Sequence, residues 1–489
     1  MTEATKREGD APAIGGSAGP DRPPVPPSGL PGRLEEVGQG RPGPAWRPCI
    51  RWKEMLLLLP TPALLALGLA HLALLDHGQV RGEDLRPALA AGVLLLGSSL
   101  LLSLLGFRGE QTFLPLGALL VSVGLLFLTR LEPDLPAGYG PVGQRQWQWA
   151  ALGLGVYLLT LLLTRRWVWR GRVISWDLLL KRYRYIVLFV GLALVLVTMY
   201  FGVEVNGARL WLRLGPLQFQ PSEVFKVALV VFLAAYLEDK RDLVAFRGFR
   251  WGRLPLPPIP YLLPLLLTLG LSVAVLAFQR DLGAAMLTFG IFLSLLYVAS
   301  SRPAYLLAGG AAFVGAVFGL YRLSERVEAL AHVRTRIAIW LSPWTHEAAY
   351  QVVQGLYALA AGGLLGRGLG QGTLYLIPAG HTDLIFAAIG EEWGLLGTTA
   401  ILLLYALLVA RGLSASLRAR DGFLQLLGVG LALALAVQVL VIVAGNLALI
   451  PLTGITLPLI SYGGSSLLTN GFILGLLSRI SATRGPWDR

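Results

Sequence analysis

The chain has 489 residues, 55% of them hydrophobic and only 14% charged, with a mean hydropathy of +0.65. Such a composition leaves too little polar surface to cover a water-soluble globule and marks an integral membrane protein. The net charge of +13 does not point to nucleic acid, because the basic residues cluster between apolar runs as they do in membrane-protein loops. The single cysteine, Cys49, excludes an intramolecular disulfide and a cysteine-based metal site.

Residues 1–54 form a tail whose first part is rich in Gly, Pro, Ser and charge; disorder and a cytoplasmic location are expected for it. The first apolar run begins too late for a secretory signal. Apolar runs then follow at 55–75, 87–107, 113–129, 147–164, 186–203, 221–237, 259–278, 282–300, 303–322, 383–410, 423–450 and 462–480. They predict an all-α, polytopic helical bundle of about twelve transmembrane helices, two of them within 55–107 and the rest within 113–483.

Orientation is read from the basic connections. Arg165, Arg166, Arg170, Arg172, Lys181, Arg182 and Arg184 follow the fourth run, and Lys240, Arg241, Arg247, Arg250 and Arg253 follow the sixth. By the positive-inside rule these connections, and hence both termini, face the cytoplasm. The longest connection, 323–382, is then external. It carries Arg334, Arg336 and Arg367, the pair Tyr350-Gln351 and a glycine-rich run over 362–372. Two readings stand for it: solvated or lipid-anchoring arginines, and a cradle for a phosphorylated ligand built from guanidinium forks and backbone N–H groups.

Polar residues inside the spans are the candidate site, because charge in a bilayer is costly. Pro221, Ser222 and Glu223 mark a helix start, which places Lys226 about 7 Å inside the membrane. It needs a partner; Asp383 is the nearest acid by depth, with Glu223, Glu391 and Glu392 competing. The segment 378–392 runs from a polar loop with His381, Thr382 and Asp383 into an apolar helix, where Glu391 and Glu392 are expected roughly 12 Å deeper. Gln279-Arg280-Asp281 reads equally as a functional cluster and as a self-neutralising turn. The uncharged stretch with Asn446, Pro458, Ser461, Tyr462 and Gly463 reads as a packing element.

Several of these residues recur together in one known pattern. Asn206-Gly-Ala-Arg209 with Trp211, Gln220-Pro-Ser-Glu223 with Lys226, Asp281-Leu-Gly283, Tyr350-Gln351, Gly366-Arg-Gly-Leu-Gly370, His381-Thr-Asp383 with Glu391-Glu392, and Ser461-Tyr-Gly-Gly464 resemble the SEDS family (shape, elongation, division and sporulation), which includes RodA and FtsW. The resemblance implies a ten-helix core preceded here by two additional helices. It implies a peptidoglycan glycosyltransferase that polymerises lipid II at the outer face of the cytoplasmic membrane beside a class B penicillin-binding protein. It carries over Asp383 as the essential aspartate and Arg209, Trp211, Lys226, Arg334, Arg336, Gln351, Arg367, His381 and Thr382 as substrate-binding positions. No cofactor is certain; a divalent cation on the pyrophosphate stays open. Three departures are visible: Arg280 replaces a usual proline, Leu210 a common basic residue, and Ala379-Gly380 a segment that often carries an acid.

The implied chemistry needs a base for the acceptor hydroxyl and cations for the leaving pyrophosphate. Asp383 fits the first role, against the plainer possibility of a helix-capping acid. A lipid II flippase would use the same buried charges, and a non-catalytic scaffold for a transpeptidase is the third alternative.

Overall fold

The computed structural model describes residues 48–483 apart from 137–139, 166, 170–171, 206, 216, 242–248, 252–253 and 257–258. The expected disorder of the tail up to residue 47, Asn206, and the arginines at 166, 170, 247, 253 and 484 therefore lie outside the described residues.

Apolar runs become helices because in lipid each backbone N–H and C=O must find its partner within the chain. The helices are α1 (Trp52–Leu58), α2 (Pro60–His77), α3 (Gly82–Leu104), α4 (Phe113–Leu131), α5 (Val142–Leu163), α6 (Trp176–Arg182), α7 (Arg184–Phe201), α8 (Pro221–Asp239), α9 (Ile259–Phe278), α10 (Leu282–Ser300), α11 (Pro303–Leu323), α12 (Ala331–Leu341), α13 (Tyr350–Gly362), α14 (Ile385–Leu417), α15 (Gly422–Asn446) and α16 (Gly464–Ser481). Among the described residues nine are long and apolar enough to cross a membrane, counting α1 with α2 as one. Helices α8, α9 and α16, of 19, 20 and 18 residues, stand where the other three apolar runs predicted spans.

The bundle is organised around α8, whose side chains from Phe225 to Leu237 are all buried and which packs against α7, α10, α15 and α16. Pro221 opens it at the first helical positions with Glu223 in the first turn, as its sequence predicts. Helices α1–α3 lie on the flank of α4, where Leu65, Leu69, Leu72, Ala88 and Ala91 meet Leu125 and Leu126. Helix α11 is peripheral: Tyr305 is its one fully covered side chain.

Three expectations change. The tail does not run to residue 54, because α1 begins at Trp52 and the oppositely charged Arg51 and Glu54 form a fully buried ion pair. The connection 323–382 is a helical layer, with α12 and α13 in it and α13 packed along α14. The connections also hold short antiparallel strands: β1 (Trp167–Trp169) with β2 (Arg172–Ile174), β3 (Val203–Val205) with β4 (Ala208–Leu214) and β5 (Leu217–Phe219), and β6 (Phe249–Trp251) with β7 (Leu254–Leu256).

Candidate active site

Asp383 sits in the turn before α14, and the position preceding that helix is Leu384, without a side-chain cap. The capping role is therefore not what Asp383 does. The residue is 9% exposed, and its carboxylate accepts from Thr382 Oγ1 at 3.0 Å and from Gln351 Nε2, at the start of α13, at 3.2 Å. Burial pushes Asp383 above the ordinary carboxylate range; Thr382, its own backbone N–H, the Arg336 charge and Gln351 oppose that rise.

The turn is pinned by the uncharged stretch near the C-terminus, so the packing reading of that stretch is incomplete. Asn446 Nδ2 donates to the Asp383 carbonyl at 2.8 Å and its Oδ1 accepts from Ala387 N at 3.2 Å. Ser461 Oγ donates to the Thr382 carbonyl at 2.6 Å, and Tyr462 N donates to the His381 carbonyl at 2.9 Å. His381 is buried, 6.1 Å ring to ring from Tyr462, and burial lowers its pKa.

Arg336, on α12, completes the group. Its Nη1 donates to the Leu452 carbonyl at 2.8 Å, and its charge interacts with both Asp281 and Asp383; burial nevertheless holds its pKa below the usual arginine value. The turn at 279–281 is not self-neutralising. Arg280 donates to the Gly207 carbonyl at 3.0 Å, whereas Asp281 caps α10 through Ala284 N at 2.9 Å, and burial raises its pKa.

Lys226 does not pair with Asp383. Its Nζ lies 2.7 Å from Glu223 Oε2, one turn back on the same helix, and 2.7 Å from Gln438 Oε1 on α15. Glu223 is one of the acids that the sequence left competing, and i,i+3 spacing on the same helix brings it within reach. Gln438 in turn donates to the Thr456 carbonyl at 2.8 Å.

Glu391 and Glu392 have partners of their own. Gly394, at φ 64° and ψ −166°, breaks α14 into two helical pieces. Glu392 lies about two turns along α14 from Ile385, and its carboxylate is 3.2 Å from Arg130 Nε in the last turn of α4. The glycine run wraps this break. Gly370 N and Gly372 N donate to Glu392 at 3.0 and 3.3 Å, while Arg367 Nη1, Thr373 N and Thr373 Oγ1 donate to Glu391 at 3.0, 2.9 and 2.8 Å. Those glycine N–H groups are thus occupied by a carboxylate, which removes them from any phosphate cradle. A Cβ at Gly366, where φ is +82°, would sit 2.1 Å from the Glu392 carbonyl oxygen, so the run is glycine-rich for close approach.

The structure therefore gathers Asp383, Thr382, His381, Gln351 and Arg336. Arg367 is 43% exposed beside Glu391. Exposed Arg209 lies 3.3 Å from Glu204, to which strand pairing joins it, and half-buried Trp211 follows on the same strand. Arg334 is exposed on α12. Among the described residues no hydrogen bond or ion pair joins Arg209, Trp211, Arg334 or Lys226 to Asp383, and no group of three or more His, Cys, Asp or Glu is placed to hold a metal ion.

A profile described as a cell cycle protein, covering FtsW, RodA and SpoVE, matches residues 111–485. The chain belongs to the FtsW/RodA/SpoVE family. The peptidoglycan glycosyltransferase RodA of Mycobacterium tuberculosis is 36% identical over 380 residues, covering 76% of this chain and 78% of that one. A solved structure described as structural coordination of polymerization and crosslinking by a peptidoglycan synthase complex superposes with a TM-score of 0.58 at 30% identity, covering 76% of this chain and 98% of that one. The rod shape determining protein RodA of Thermus thermophilus follows with a TM-score of 0.50 and 29% identity, over 77% and 98%. The FtsW/RodA/SpoVE match begins after α3, so the first three helices lie outside it.

Proposed function

We propose that this chain is a peptidoglycan glycosyltransferase that joins lipid II units into glycan, with Asp383 as general base. The observation that carries the reading is a buried carboxylate, held by two neutral donors and within the field of the Arg336 charge, in a turn anchored by Asn446, Ser461 and Tyr462. Asp383 takes the proton from the C4 hydroxyl of the acceptor sugar as that oxygen bonds to the donor's anomeric carbon. The bond from that carbon to phosphate breaks, undecaprenyl pyrophosphate leaves, and the anomeric centre inverts. One protein carboxylate suffices. A carboxyl held above its ordinary range is a stronger base once ionised, which suits proton transfer from a hydroxyl. Arg336, with Arg334, Arg367 and Arg209, supplies positive charge for the pyrophosphate, and Arg carries the forked geometry that phosphate oxygens favour.

The cytoplasmic reading of the basic connections supports placing this site on the outer face of the cytoplasmic membrane, with both termini inside. A class B penicillin-binding protein is the partner expected to crosslink the product, in keeping with the superposed synthase complex. The test is purified protein, with and without that partner, given lipid II in detergent micelles and in sealed vesicles. Glycan polymer is the expected product. Leaflet transfer of lipid II without polymer would replace the reading with a flippase, and neither activity would leave a scaffold.

A further inference from the structure

Helix α2 lies outside the family match yet touches the loop that carries Arg367. His71 Nε2 donates to the Leu369 carbonyl at 3.2 Å. The Leu369 side chain packs on the cluster of Leu65, Leu69 and Leu72, together with Trp393. A Cβ at Gly370 would stand 2.6 Å from Leu75 Cδ1 and 3.4 Å from Leu72 Cδ2, so the backbone of the loop rests directly on this helix. From the opposite side the same loop is bonded to the break in α14, through Gly370 N to Glu392 and Arg367 N to the Glu391 carbonyl at 3.0 Å each. The loop is thus clamped between α2 and α14.

The N-terminal helices are pinned at a second point. Arg51, in its buried pair with Glu54, donates to the carbonyls of Phe107, Gly109 and Glu110 at 2.9, 3.2 and 3.2 Å, and Glu54 N donates to Gln111 Oε1 at 3.2 Å. Those carbonyls belong to the short link into α4. Helices α1 and α2, which together form one span, are held at that link through α1 and at the glycine loop through α2, and so act as a strut between them. A merely appended anchor has no need of a fully buried ion pair or of a hydrogen bond to a distant loop carbonyl, since burying charge without such partners is costly.

We infer that the N-terminal helices brace the glycine loop, with His71 and Leu75 as positioning residues that set where Arg367 stands. The inference deepens the glycosyltransferase reading and rests on it for its kinetic consequence alone. Both side chains are exposed, so their truncation spares the core.

The test is a double-mutant cycle in the full-length protein. His71→Ala with Leu75→Ala should lower kcat/KM for lipid II about fivefold, the order expected for losing one hydrogen bond and one apolar contact. In an Arg367→Ala background the same pair of changes should have no further effect, and His71→Gln, which keeps a donor, should restore most of the loss. Hydrogen exchange supplies a readout independent of activity: the Gly370 and Gly372 amides should exchange about fivefold faster in the truncated variant. Equal losses in both Arg367 backgrounds, or unchanged exchange at those amides, would overturn the brace. If wild type made no polymer, the glycosyltransferase reading would fail while the exchange result would still decide the brace; the same holds if Arg367→Ala were inactive.

Discussion

Lys226→Met isolates a structural charge from the catalytic one. The lysine side chain is 4% exposed, and its ammonium bridges Glu223, whose side chain is 10% exposed, to the Gln438 side chain, each at 2.7 Å. Methionine keeps most of the volume and removes the charge, leaving the Glu223 carboxylate buried without a counterion. Breaking a buried pair from one side costs roughly 3–5 kcal/mol, because the uncompensated charge has lost its solvation and its partner together. Glu223→Gln added to Lys226→Met removes that charge, and the remaining cost should fall to about 1 kcal/mol, that of a disturbed hydrogen bond. Thermal denaturation in detergent, followed for the two single variants and the double, measures the difference. The acid limb of the pH–rate profile should not move in folded Lys226→Met, since Asp383 takes its hydrogen bonds from Thr382 and Gln351. Wild-type stability in the single variant, or a displaced acid limb, would refute this reasoning.

Gln351→Leu removes a donor that favours ionised Asp383, so its pKa should rise further and the acid limb of kcat/KM should move to higher pH; an unmoved limb would show that this bond does not tune the base. Because burial holds the folded-state pKa of Asp383 above its unfolded value, ionisation costs stability at pH above the folded pKa, and that cost fades as pH falls through both values. Asp383→Asn should therefore be more heat-stable than wild type at neutral pH, with the gap closing on acidification; a gap that widens in acid would contradict the sign. Gly394→Ala puts a Cβ at φ +64°, 2.3 Å from Gly366 N, and should cost at least about 2 kcal/mol, read as loss of monodisperse protein on mild heating.

Hydrophobic patterning alone located the spans, because a run of apolar residues long enough for lipid has few alternatives to a helix. The start of α8 at Pro221 and the polar junction at 381–383 were likewise legible from local residue types. Pairing was not. Lys226, Glu223, Asp383 and Glu391 all lie in or beside apolar runs, and choosing among them takes the rotation of each helix about its axis. The partners of Glu392 are Arg130 on α4 and the amides of the glycine loop, both far from it in sequence, so no local pattern around 391–394 names them. Asn446 and Ser461 act on backbone carbonyls, and a carbonyl leaves no trace in a sequence. The ion pair of Arg51 and Glu54 looked like tail because its charges cancel only after folding.

Asp383→Asn assayed for glycan polymer from lipid II tests the central claim most directly. Asparagine preserves the size of the side chain and accepts from Thr382 while removing the base. Polymerisation should fall at least about a hundredfold, the lower range for a lost general base, in protein that remains folded and still binds its transpeptidase partner. Polymer at the wild-type rate would contradict the assignment of Asp383 as the base.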